Sequence, residues 1–112
     1  MPVQHAYDKI MAEVSSWQGI KATPHRFGGM EFKLGLREMG HVHGNCQADI
    51  PFPKSYRDSL VAAGRAEPHH ILLESGWITF RFVKPEDIGK AIELFRISYD
   101  ISRSKIEDSK PL

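Results

Sequence analysis

Between residues 28 and 52 three short alternating runs follow one another with tight turn signals between them, and that pattern dictates antiparallel strands. Met30, Phe32, Leu34 and Leu36 alternate with Glu31, Lys33 and Gly35, the period-two signature of a half-buried strand. Gly28-Gly29 marks a turn or bulge ahead of it. The polar pair Arg37-Glu38 reads as the turn that sends Met39 to His43 back along the first strand. Gly44-Asn45 supplies a second turn, and Gln47 to Phe52 a third strand. In that strand Ala48, Ile50 and Phe52 share one face, leaving Asp49 on the other. Connections this short join antiparallel neighbours, because a parallel pair needs a crossover of about a dozen residues or more.

The flanking segments read as helices and a further hairpin. Tyr7, Ile10, Met11, Val14 and Trp17 recur at helical spacing over residues 4–17, which Gly19 ends. Thr23-Pro24 is extended. Pro53 opens a short helix closed by Gly64, with Tyr56, Leu60 and Ala63 inward. His69 to Leu73 and Trp77 to Val83 form a hairpin around Glu74-Ser75-Gly76. Its second strand turns Ile78, Phe80 and Phe82 to the core and Trp77, Thr79 and Arg81 away from it. Pro85 starts the last helix, where Glu86 and Asp87 complement the dipole and Ile88, Ala91, Ile92, Phe95 and Tyr99 form a buried stripe. The order αβββαββα predicts an α+β fold, a mostly antiparallel sheet of about five strands with three helices on one face. Residues 1–102 form a single domain, and 103–112 a polar, frayed tail.

Composition narrows the function classes. A chain of 112 residues with 41% hydrophobic and 26% charged residues is an ordinary globular domain with one core. Its formal charge of +1 lacks the basic excess of a general nucleic-acid binder. No apolar run reaches the length of a membrane span, and no signal peptide opens the chain. Cys46 is the lone cysteine, so no internal disulfide forms and a reducing cytoplasm is expected. A sheet with two open edges leaves room for a homodimer.

The chemistry concentrates in Gly40-His41-Val42-His43-Gly44 and in Asp49. On a strand His41 and His43 project from one face, where two imidazoles can share a metal, hold an anion or move protons. Asp49, His69 or His70 is available as a third metal ligand; against this, paired histidines also finish a polar strand without binding anything. Of His69 and His70, the apolar pattern of residues 71–73 leaves His70 on the exposed side. Trp77 offers a stacking surface, with Arg81 on the same face to hold an anion. Ser75 sits in a turn without a nucleophile elbow, and nothing near Cys46 activates its thiol.

The runs Arg26-Phe27-Gly28-Gly29-Met30-Glu31-Phe32, Arg37-Glu38-Met39-Gly40-His41-Val42-His43-Gly44, Asp49-Ile50-Pro51-Phe52, Leu60 to His70 and Ser75-Gly76-Trp77 resemble the small bacterial proteins of the luciferase-domain family. The likeness spans about Arg26 to Tyr99 and implies a bacterial, stand-alone member. No flavin or nucleotide motif accompanies it. Two functions are expected from these residues. One is a binding module whose His41, His43, Asp49, His70, Trp77 and Arg81 hold a small polar or anionic ligand or a protein partner, with neither nucleic acid nor membrane involved. The other is a hydrolase-like enzyme in which His41, His43 and Asp49 or His70 bind zinc or another divalent ion that activates water.

Overall fold

The computed structural model of the protein describes residues 2–25, 28–69, 71–72 and 75–109. Among them are three helices, α1 (Ala6–Ser15), α2 (Lys54–Ala62) and α3 (Glu86–Ser109). Six strands accompany them: β1 (Ile20–Pro24), β2 (Met30–Leu34), β3 (Arg37–His43), β4 (Gln47–Pro51), β5 (Glu67–Pro68) and β6 (Trp77–Arg81). The strands form one sheet in the order β1-β2-β3-β4-β6-β5, with every pair antiparallel. The α+β architecture is the expected one, with one strand more. That strand is β1, an edge strand pairing Ile20 with Leu34 and Pro24 with Met30. Its Pro24 is tolerated at the rim, where no ladder donor is needed.

Three local features depart from simple alternation. The first is the turn between β2 and β3, which falls at Gly35-Leu36 rather than at Arg37-Glu38. Lys33 faces Glu38 and Leu34 faces Arg37 across a two-residue loop, and Gly35 takes a φ of +63° at its first position. Leu36, assigned above to the strand, is fully exposed at the tip.

The second is a β-bulge. Phe32 faces Gly40 while Lys33 faces Glu38, so Met39 is an extra residue on β3. Met39 is wholly buried, and the open side of Gly40 lies against Phe95 of α3. Two successive residues therefore face the core. Glu38 and His41, three apart, consequently emerge on the same outer face.

The third concerns the last hairpin. Pairing occurs at Glu67↔Thr79 and Pro68↔Ile78, two residues earlier than expected, and ends with His69 N–H donating to Trp77 O at 3.3 Å. His70, Leu73 and Glu74 lie outside the described residues.

The core fills the space between the sheet and the helices. Phe95 meets Phe32 edge-on at 5.3 Å, and Ile10, Val14, Ile50, Ile78 and Phe82 are buried around them. Ser98, also on α3, sits within 3.1 Å of Met39 O and 3.2 Å of Pro51 O, fixing the helix over β3 and β4. Tyr99 packs on Trp17 and donates its hydroxyl to Gln18 O at 2.6 Å, which ties α3 to the end of α1. On α2 the inward residues are Arg57 and Leu60; Tyr56 stacks on Phe52, and Ala63 is exposed. No helix among the described residues is long and apolar enough to cross a membrane. With the helices gathered on one face, the other face of β3, β4 and β6 is left to carry polar side chains.

Candidate functional site

On that outer face the bulge and the strand register bring a polar cluster together. Register pairs His41 with Asp49 and Asp49 with Thr79, so Asp49 lies centrally between β3 and β6. Its side chain is only 2% exposed, a depth at which a carboxylate needs partners. Asp49 Oδ2 lies 3.2 Å from His41 Nε2, 3.2 Å from His43 Nε2 and 3.8 Å from His69 Nε2. Asp49 Oδ1 accepts the Thr79 hydroxyl at 2.7 Å. On the far side of the His41 ring, Nδ1 lies 2.7 Å from Glu38 Oε2. His25 stacks on the same ring at 4.1 Å, and Trp77 flanks it at 5.5 Å.

These surroundings set the charges. Burial pulls His41 down, but hydrogen bonds and charge from Asp49 and Glu38 outweigh it and raise its pKa from 6.5 to about 9. Burial pushes Asp49 up, and this is overcome by hydrogen bonds from His41 and Thr79 and by the charge of His41, which lower it to about 2. His43 moves down, first through burial and then through repulsion by His41. His69 has a fixed tautomer: its Nδ1 accepts N–H bonds from Ile71 and Leu72, each at 3.2 Å, so the neutral ring carries its proton on Nε2.

Above this floor lies a cavity of about 430 Å³. Glu38, His41, His43, Asp49 and His69 form its polar floor, and Trp77, Ile71, Leu72 and His25 its walls and rim. Of the residues named from sequence, His41, His43, Asp49, His69 and Trp77 are brought together. Arg81 is on the same sheet face but away from the cavity, held by Glu67 Oε2 at 3.0 Å and Gln47 Oε1 at 3.2 Å. His70 lies outside the described residues, and its neighbour His69 is the one that reaches the floor. Ser75 serves its turn, donating to Leu72 O and accepting from Trp77 N–H.

Glu38, His25 and His69 enter the site unannounced by strand periodicity. For Glu38 the Met39-Gly40 pair was the available signal, since a glycine beside a large apolar residue in a strand marks a bulge. His25 and His69 lie just beyond β1 and β5, where alternation no longer applies.

The family profile of the luciferase domain matches residues 36–98, more than half of the chain. The chain belongs to the luciferase-domain family. No curated protein and no solved structure matches it. Within this luciferase domain the matched stretch holds Glu38, His41, His43, Asp49, His69 and Trp77, that is, the whole polar floor and one wall. His25 precedes the match, so the rim beside His41 is completed from outside it.

Chemically, the luciferase-domain cavity offers an imidazole–carboxylate floor beneath an indole and two aliphatic side chains. Among the described residues two groups of donors lie close enough to share an ion: His41, His43 and Asp49, and His25, Glu38 and His41.

Proposed function

We propose that this luciferase domain binds a small, flat, largely apolar molecule whose uncharged oxygen-bearing end rests on the histidine–aspartate floor. The cavity is the observation that supports this reading. Its volume falls within the range of small-molecule pockets, roughly 300–1,000 Å³, and it joins apolar walls to a few convergent polar groups. Trp77 presents a face for stacking, while Ile71 and Leu72 leave apolar surface exposed at the rim, 72% and 44% accessible.

Charge argues against the anionic ligand expected from sequence. That expectation leaned on Arg81, which Glu67 and Gln47 engage elsewhere. The described residues lining the cavity include two carboxylates and neither lysine nor arginine. An anion entering there meets repulsion strengthened by burial, whereas a hydroxyl or carbonyl finds imidazole N–H donors.

The test is a titration with hydroxylated bicyclic aromatics, 2-naphthol first, followed by Trp77 fluorescence and by the histidine ring resonances. The Trp77→Phe variant supplies the background from Trp17. Saturable binding should shift His41, His43 and His69 together, and Ile71→Asp should weaken it about tenfold by placing a charge on the apolar rim. Binding insensitive to both Ile71→Asp and Trp77→Phe, or no saturation by any member of the set, would remove the cavity from consideration.

A further inference from the structure

We propose that the cavity floor is a site for a first-row transition dication, with His41 Nε2, His43 Nε2 and Asp49 Oδ2 as its protein ligands. Spacing is the first argument. Ligands about 2.0–2.1 Å from a tetrahedral ion lie roughly 3.3 Å from one another. Asp49 Oδ2 stands 3.2 Å from each of the two nitrogens. One donor atom from each of the three residues lies within 4.8 Å of the others, close enough for an ion to draw them onto itself.

The surrounding bonds already aim each donor. Glu38 at 2.7 Å accepts the Nδ1 proton of His41, so an ion that displaces the proton shared by Nε2 and Asp49 meets a ring already turned to coordinate through Nε2. A carboxylate behind a metal-bound histidine is the usual way of orienting such a ring. Thr79 occupies Asp49 Oδ1 at 2.7 Å and leaves Oδ2 turned to the histidines. His69 is excluded as a ligand, because the bonds to its Nδ1 place the proton on Nε2. It serves instead as an N–H donor beside the remaining position.

Charge and donor type complete the argument. Glu38 and Asp49 bring two negative charges into a floor whose described lining has no lysine or arginine. A dication that displaces the His41 proton balances both carboxylates with the imidazoles neutral. Two imidazoles and one carboxylate suit zinc or ferrous iron, and they disfavour magnesium and calcium, which prefer all-oxygen shells.

This deepens the binding proposal and rests on it in one respect, that the open position faces the cavity where the ligand's oxygen would sit. Metal binding itself requires no organic ligand. Chelator-treated full-length chain is therefore titrated calorimetrically with Co²⁺ or Zn²⁺ alone, with the visible Co²⁺ spectrum as a coordination readout and no 2-naphthol present. One equivalent should bind, with the d–d bands of a low-coordinate site, while Mg²⁺ gives no heat. His43→Ala should lower the affinity at least 100-fold, and Glu38→Gln, which removes the brace behind His41 and one balancing charge, by about 10–100-fold. Arg81→Ala should leave it unchanged. Urea midpoints establish that each variant is folded, and His43→Gln replaces His43→Ala if the latter is not. The proposal is overturned if wild-type protein binds no tighter than His41→Ala/His43→Ala, or if a folded His43 variant binds as wild type does. Metal binding without 2-naphthol binding would leave the ion site standing and the ligand proposal refuted; the reverse result would do the opposite.

Discussion

Replacing Gly40 with alanine should both destabilise the protein and dismantle the cluster, because one residue holds the bulge that phases β3. Gly40 has a φ of +137°, a conformation that L side chains rarely adopt. Holding a non-glycine residue in such a region costs about 1–3 kcal/mol. The new Cβ would also stand 2.8 Å from Phe95 Cε1 and 2.9 Å from Asp49 O. Phe95 is fully buried and Asp49 O belongs to the backbone of β4, so neither neighbour can swing aside. Overpacking of this kind costs a further 1–3 kcal/mol or so. Partial relaxation brings the sum to about 3–4 kcal/mol, a large share of the roughly 5–15 kcal/mol that holds an ordinary domain together. In urea, with a slope of about 1–3 kcal/mol per molar, the midpoint should fall by about 2 M. Gly44→Ala is the control. Its φ is +52° but nothing stands within 4 Å of the added carbon, so it carries backbone strain without a collision. The second readout is the His41 ring, which should lose its Glu38 contact as the bulge rearranges. A Gly40→Ala variant that loses less than about 1 kcal/mol and keeps the Glu38 contact would refute the reasoning.

Three further substitutions probe other parts of the account. In Gly76→Ala the added carbon would collide with Phe52 O, so the start of β6 must move; urea midpoints should show a loss of at least about 3 kcal/mol, with altered Trp77 emission. Thr79→Val keeps the shape but removes the hydroxyl that fills Asp49 Oδ1, and should cost about 1–3 kcal/mol and weaken Co²⁺ binding about tenfold. Asp87 accepts Val83 N–H at 2.8 Å and Lys84 N–H at 3.1 Å ahead of α3, so Asp87→Ala should cost about 1 kcal/mol at neutral pH. Burial raises the Asp87 pKa, but these backbone bonds and the nearby Lys90 and Lys84 charges outweigh it and hold the group below its ordinary value. Its contribution is thus complete above the unfolded value near pH 4 and lost as pH falls through the lower folded value. Denaturation series at pH 7 and in acid should show the difference between wild type and Asp87→Ala closing.

Much of the fold is legible because its signals are local. Met30 to Leu34 and Gln47 to Phe52 alternate cleanly, and the buried stripe of α3 recurs at helical spacing from Ile88 to Tyr99. The turn was misplaced for a physical reason. Gly35 and Leu36 continue the alternation of β2, while the polarity of Arg37-Glu38 resembles that of a loop. β1 escaped because five residues of mixed exposure at a sheet edge bear no strong face.

The site divides along similar lines. Alternation places His41 and His43 on one face of β3, and Asp49 and Trp77 away from the apolar sides of their own strands. It misses Glu38, because a residue three positions from His41 belongs to the opposite face unless a bulge intervenes. His25 and His69 arrive from segments beyond the strand ends, where tertiary packing decides. Arg81 shows the converse. Periodicity turns it to the outer face, yet Glu67, fourteen residues earlier, holds it away from the cavity.

The measurement that bears most directly on the account is a crystal structure of protein grown with zinc, with diffraction recorded on both sides of the zinc absorption edge. The predicted result is one anomalous peak on the cavity floor, about 2.0–2.2 Å from His41 Nε2, His43 Nε2 and Asp49 Oδ2. Glu38 should stand behind His41, and the remaining position should open beneath Trp77. Zinc bound only elsewhere on the surface, with the His41 and His43 rings turned away from Asp49, would contradict it.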